Sequence, residues 1–336
     1  MRAGACGLLW AALVCFLGCH EEAPSRTVGV LSFTRESPVN AAVERELIKY
    51  AEEQDVRAVW IDEDDFEPDL TREQSVRRAL HKMLNKEQIE ALILRQADPK
   101  YAERILQTCG SDMPVLFLDT LPPDLAVDGF VTVDYRSAGR EAAEYALQQA
   151  HRRRKVERIL NAVVVEGPRG NQEDRLAAAG IYSVLDDDPN VRIVARYSPK
   201  DPSDAFRFVS YELQKYADNI QILLSADPEF GSAAVFAAAA RGSANAIESA
   251  SVGSSRETSR RIRSGEHDLD IDTMPAAAAQ RALEIALQLV NDESPPPDAF
   301  TRQGPLLTAT YYAPRRRITI DNVSEMFAIW PNLSEE

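Results

Sequence analysis

The sequence predicts an α/β protein of two doubly wound lobes, each organised around a parallel sheet, with a cleft between them. Three observations predict it. Short apolar, β-branched runs alternate with amphipathic helical stretches along most of the chain, in two consecutive sets. Those runs are apolar throughout, as strands covered by helices on both faces are. Finally, Val163-Val164-Val165 runs into Gly167-Pro168-Arg169-Gly170 and then Asn171-Gln172-Glu173-Asp174. That order reads as strand, tight turn, N-cap and acidic first helical turn, and it aims a helix N-terminus past the strand's carboxyl end, where ligands bind in open α/β sheets.

The elements follow in order. Val28 to Ser32 reads as a strand, and the helix after Pro38 carries Val43, Leu47 and Ala51 on one face. Val56 to Ile61 is a second strand. It ends in Asp62-Glu63-Asp64-Asp65, which lacks the glycine and spaced ligands of a calcium loop and reads as a solvated loop. Val76, Leu80, Met83 and Leu84 mark a helix. Ala91 to Leu94 and Val115 to Leu118 are strands around a helix from Pro99 to Thr108, and Phe130 to Val133 closes the first set. The second set opens with a helix from Ser137 to Ala150, capped by the basic run His151 to Lys155, which suits a helix C-terminus. Strands at Val191 to Ala195, Ile220 to Leu224, Ile247 to Val252 and Leu269 to Asp272 alternate with helices. Those helices are marked by Phe206, Val209 and Leu213, by Phe230 to Arg241, by Glu257 to Arg263 and by Pro275 to Val290, the last ending before Ser294-Pro295-Pro296-Pro297.

With 336 residues the chain has room for two cores, and a formal charge of -15 argues against a nucleic-acid partner. Residues 1–19 read as an export signal: Arg2 gives a positive start, and Ala3 to Leu17 is apolar but too short to span a bilayer. Phe16-Leu17-Gly18-Cys19 resembles a bacterial lipobox, with Phe16 where leucine is usual, so Cys19 is the expected lipidation site and a lipid the expected membrane link. An ordinary cleaved signal is the alternative. Residues 20–26 form a linker. Past the signal only Cys109 remains, so no internal disulfide is available and the cores must carry stability. No GxSxG elbow, Walker loop or GxGxxG pattern occurs, and His20, His81, His151 and His267 are scattered without metal spacing. Neither an enzyme nor a cofactor or metal site is expected.

Particular stretches carry a family likeness. They are Thr27 to Ser32 with Pro38 after it, Pro114 to Asp119, Asp134-Tyr135-Arg136-Ser137-Ala138-Gly139-Arg140, Glu166-Gly167-Pro168 with Arg175 and Gly180, Ser225-Ala226-Asp227, and Val252-Gly253. In that order the chain resembles the type I periplasmic solute-binding proteins, the ribose-binding family that serves ABC transporters, over residues 27–307. The resemblance implies two lobes joined by three crossovers and closing on a ligand about a hinge. It places lobe one at 27–134 plus 273–300 and lobe two at 135–272 plus 301–307, with 308–336 as an extension. It implies a small polar, sugar-like ligand, a location in the periplasm or at the cell surface, and delivery to a membrane permease. A sensing role before a kinase or chemoreceptor is the alternative. A transcription regulator of the same fold is disfavoured, because an export signal stands where a DNA-binding motif belongs.

The implied ligand contacts are incomplete. Asp119 matches the acid that takes sugar hydroxyls, with Thr120 where a basic residue often follows. Asp134 belongs to the matching stretch after the first set. Arg175 matches the first of two arginines, and the second falls on Ala177. The stacking aromatics fall on Val39 and Asn40, the Asn-Asp pair is reduced to Asp227, the acidic position after Val252-Gly253 is Ser255, and the late polar contact is Thr273 or Asp272. Arg35 and Arg95 follow the first and third strands, where cleft residues belong. Free ribose is therefore expected to bind weakly, and Arg35, Arg95, Arg175 and Arg256 are expected to favour a more anionic or more polar compound.

Overall fold

The computed structural model describes residues 26–153, 159–217 and 219–334. The leader, Cys19, the linker up to Ser25 and the Arg154-Lys155 end of the basic run lie outside the described residues.

The first lobe opens with β1 (Arg26–Ser32), α1 (Pro38–Glu53), β2 (Val56–Ile61), α2 (Arg72–Asn85), β3 (Ala91–Arg95), α3 (Pro99–Cys109), β4 (Val115–Leu118) and β5 (Gly129–Thr132). The chain then crosses into α4 (Tyr135–Arg153), β6 (Leu160–Val165), α5 (Gln172–Leu185), β7 (Val191–Tyr197), α6 (Pro202–Lys215), β8 (Ile222–Ser225), α7 (Pro228–Ala240), β9 (Glu248–Val252), α8 (Arg256–Arg263) and β10 (Leu269–Asp272). It returns through α9 (Pro275–Val290), β11 (Ala299–Gln303) and β12 (Leu306–Tyr312), and crosses again to β13 (Arg316–Ile318). Among the described residues the strands form a sheet ordered β11-β12-β5-β4-β3-β1-β2 and another ordered β13-β10-β9-β8-β6-β7. All pairings are parallel except β11 with β12 and β13 with β10. The two-lobe, doubly wound α/β fold read from the sequence is thus the fold observed.

Each strand splits its side chains between two helix layers because successive residues point to opposite faces. On β4, Leu116 and Leu118 join the core under α1 and α9, and Val115 and Phe117 join the one under α2 and α3. On β6, Ala162 and Val164 face α4 and α5, and Val163 and Val165 face α6 and α7. The α4–α5 contact is closer than side chains allow. A Cβ on Gly139 would lie 1.9 Å from the Ala177 carbonyl oxygen, and one on Gly180 would lie 2.0 Å from that of Arg136. Backbone cannot yield by that much without parting the helices. Gly180→Ala is therefore expected to cost about 3 kcal/mol, at the upper end for overpacking, read as a lower urea midpoint at unchanged m-value.

The final segment departs from expectation. The family resemblance places residues 301–307 in the second lobe and 308–336 in an extension, but β11 and β12 form a hairpin on the first sheet, with Thr310 opposite Phe130 of β5. The reason is a two-residue turn: Gln303 pairs with Leu306 across Gly304-Pro305, with Gly304 at φ 55°, a conformation that favours glycine. Arg26, placed in the linker, already belongs to β1. Beyond β12 the three consecutive arginines fasten the third crossover. Arg315 and Arg317 both grip the Glu141 carboxylate of α4, at 3.2 and 2.6 Å, and Arg316 donates to Asp272 at 2.9 Å. After β13, two 3₁₀ turns at Val323–Ala328 and Pro331–Ser334 bury Met326, Trp330 and Leu333 together with Ile262 of α8.

Candidate functional site

The carboxyl ends of β3, β4 and β5 in one lobe and the N-termini of α4 and α5 in the other enclose two adjoining cavities, of about 770 and 180 Å³. Gln96, Asp119, Tyr135 and Glu173 line both. Tyr135 stands at the first crossover and packs against the cores of both lobes. Met274, at the second crossover, has φ 46°, and the cleft residues Gln96 and Asp119 have φ 49° and 70°. Three non-glycine residues in left-handed conformation at one cleft and its crossover are a local strain of the kind found at functional sites. The ladder holds them: Gln96 N–H donates to Leu118 O at 3.2 Å and Asp119 N–H to Val131 O at 3.0 Å.

The first lobe's wall is organised by Arg95, which is 3% exposed. Its Nε donates to Asp119 Oδ2 at 3.0 Å, and its Nη1 donates to Asn40 Oδ1 at 2.8 Å. A buried guanidinium is tolerable only with such partners. Facing it, Asn171 caps α5 by accepting from the Glu173 N–H at 2.9 Å, which places Glu173 in the first turn, aimed into the cleft. Burial raises the Glu173 carboxyl from its ordinary 4.5 to about 7, helped by the negative charge of Asp119 across the cleft and opposed by the hydrogen bond from Tyr135. Asp174 beside it is also raised to about 7, by burial and then by Asp227 and Glu173. Asp272 is raised by burial, against which Arg316 works.

Of the expected site residues, Arg95, Asp119, Thr120 and Asp134 line the cleft. Asp134 also starts α4 by accepting from the Ser137 N–H at 3.0 Å. The other four line neither cavity. Arg35 is exposed and pairs loosely with Glu63 at 3.8 Å. Arg175 borders a separate depression of about 420 Å³ with Glu166 and Tyr182. Helical periodicity explains this, because Glu173 and Leu176 share the cleft face and a residue two places after Glu173 lies about 200° round the helix. The Asp227 carboxylate is used in capping α7, accepting from Glu229 N–H at 2.8 Å and Phe230 N–H at 3.0 Å. Ser255 caps α8 in a reciprocal pair with Thr258, and its neighbour Ser254 lines the smaller cavity instead. The expected ring of four arginines is corrected accordingly. Of the four, only Arg95 lines either cleft cavity, and Asp119 neutralises it. Residues that sequence reading missed include Gln96, Tyr135, Glu173, the cations Arg136 and Arg140 of α4, and the late trio Met326, Ile329 and Trp330. Among the described residues no cluster of side chains could hold a metal ion.

A family model described as periplasmic binding protein domain matches residues 28–294. The chain belongs to the periplasmic binding protein family. Membership makes it a protein of solute-binding type and implies export to the periplasm or cell surface. No curated protein sequence gives a significant match. Among solved structures this periplasmic binding protein is similar to an arabinose-binding protein from Geobacillus stearothermophilus, at 14% identity and TM-score 0.72, covering 90% of this chain and 99% of that one. It is also similar to a periplasmic ribose ABC transporter protein from Conexibacter woesei, at 16% identity and TM-score 0.72, over 93% and 98% of the two chains. A third is an ABC transporter solute-binding protein from Actinobacillus succinogenes with bound D-allose, at 17% identity and TM-score 0.67, over 89% and 99%. These likenesses concern the fold, which is that of the type I proteins. The cleft of this periplasmic binding protein lies where its two sheets present their strand ends, as the topology requires.

Proposed function

We propose that this protein captures a small polyhydroxylated solute, a sugar or sugar-like compound, between its lobes and delivers it to the permease of an ABC-type importer, without chemical change to the solute. One observation carries the reading: Asp119 and Glu173 approach each other from opposite lobes. Two facing carboxylates want donors between them, and adjacent hydroxyls supply donors without bringing charge. The solved sugar-binding neighbours support the same reading. Contacts from both lobes exist together only when the cleft is shut, so the solute acts by shifting the population toward closure. Calorimetry with D-arabinose, D-allose and myo-inositol, alongside gluconate as an anionic control, tests it. Saturable binding of a neutral member with a smaller radius of gyration in solution scattering is expected. Binding of gluconate alone would sink the reading.

The export signal and Cys19 complete the proposal with a lipid anchor. Cys19→Ser is expected to move the protein from the membrane pellet to the soluble fraction after cell breakage. Unchanged membrane retention would remove the anchor from the account.

A further inference from the structure

We propose that the segment Val323–Ser334 is a wall of the solute site, closing its mouth and offering Trp330 as the apolar face for the ring of a monosaccharide-sized polyol. The inference rests on the solute-binding reading above and adds the residue that decides which ring fits.

Three observations carry it. First, the smaller cavity has two kinds of wall. Asp119, Glu173, Asp272 and Ser254 give it a polar side, and the Ser254 hydroxyl is buried without a partner. Met326, Ile329 and Trp330 give it an apolar side. A cyclic polyol has the matching division, hydroxyls around a rim and C–H groups on a face, and an aromatic ring is a large, stiff surface for such a face. Second, the early part of the chain cannot supply that surface. Val39 is aliphatic, and the Asn40 amide is held at both ends, by Arg95 and by the Arg35 carbonyl at 2.6 Å. Third, the segment touches both lobes. Trp330 is 8% exposed, and its cluster takes in Ile262 from α8 on one side and Val39 from α1 on the other. Arg316 ties the base of the segment to Asp272 and, through a second ion pair, to Glu325. The cavity of about 180 Å³ corresponds to roughly six waters at ~30 Å³ each, room for one small ring.

The chain holds tryptophan only at 10, 60 and 330, so replacing Trp10 and Trp60 by Phe leaves Trp330 as the sole indole. Titrations of that chain with D-ribose, D-arabinose, D-allose and myo-inositol are expected to shift its emission saturably for at least one of them. For that probe, Trp330→Ala is expected to weaken binding at least tenfold by calorimetry, and Trp330→Phe less than threefold. A probe that binds with unchanged emission and with equal affinity for the Trp330→Ala variant overturns the inference while leaving the solute reading intact. So does a probe that binds only after residues 323–336 are removed, because the segment then blocks the site. If no probe binds either chain, the solute reading falls and takes the inference with it.

Discussion

Asp119→Ala is expected to abolish solute binding and to destabilise the protein by about 3–5 kcal/mol, the range for breaking one partner out of a buried ion pair. The variant removes the acceptor for Arg95 Nε, and the side chain of that arginine is only 4% exposed, so its charge cannot turn to water. Asn40 and Thr34 remain as partners through Nη1, but neither carries a compensating charge. Backbone adds to the loss, since Asp119 sits at φ 70°, where aspartate and asparagine are tolerated far better than alanine. Two controls divide these causes. Asp119→Asn keeps the backbone tolerance and one acceptor but drops the charge. Arg95→Leu combined with Asp119→Ala removes both charges and is expected to regain most of the stability and none of the binding. A single Asp119→Ala variant within 1 kcal/mol of the parent in urea unfolding would contradict the wall described here.

Stability is expected to fall as pH rises from about 5 to 8, and Glu173→Gln is expected to flatten part of that fall. The Glu173 carboxyl titrates near 7 in the folded protein against an ordinary 4.5. Between those values the native state holds a proton that the unfolded chain has released, so unfolding becomes easier with each step up in pH. For this one group the difference is about 3 kcal/mol above pH 7 and vanishes only well below 4.5. Asp174 and Glu248, both also raised to about 7 chiefly by burial, leave a residual slope in the variant. Glutamine keeps an acceptor for the Tyr135 hydroxyl, so the substitution isolates charge. The same repulsion acts between lobes, and the ligand-free protein is expected to have a larger radius of gyration at pH 8 than at pH 5.5. Parallel pH curves for parent and variant would mean that Glu173 does not titrate in this range.

The parts of the fold legible in the sequence are those written by local pattern. Apolar runs such as Val163 to Val165 and capped helices such as the one at Asn171 appear where their periodicity puts them. Arg95 and Asp119 were legible because the end of a parallel strand is a fixed place, but the same rule also pointed to Arg35, which turns out to solvent, and passed over Gln96. Orientation around a helix is less so: the resemblance points to Arg175, yet the residue two places earlier on α5, Glu173, is the one that faces the cleft. Whether a polar side chain has already been used was invisible as well, and Asp227 and Ser255 are both spent on helix caps. Trp330 offered no local signal, because only the third crossover brings it back to the strand ends. The β11–β12 hairpin did carry one, the Gly304-Pro305 turn between two β-rich runs.

The triple crossing also sets an order of assembly. All the parallel strands of the second sheet, β6 to β10, and the helices α4 to α8 around them come from one unbroken stretch, so that core can form from neighbours in sequence. The first lobe cannot. Its α1 lies against α9, with Tyr50 donating to Glu284 across 234 residues, and β5 waits for β12. Closing so long a loop before any contact rewards it is slow. Folding should therefore be biphasic, with amide protection appearing in β6, β8 and β9 well before it appears in β1 and β5. Until α9 arrives, the apolar face of the first sheet stays open to water, and that intermediate is the species a cell-envelope chaperone would meet.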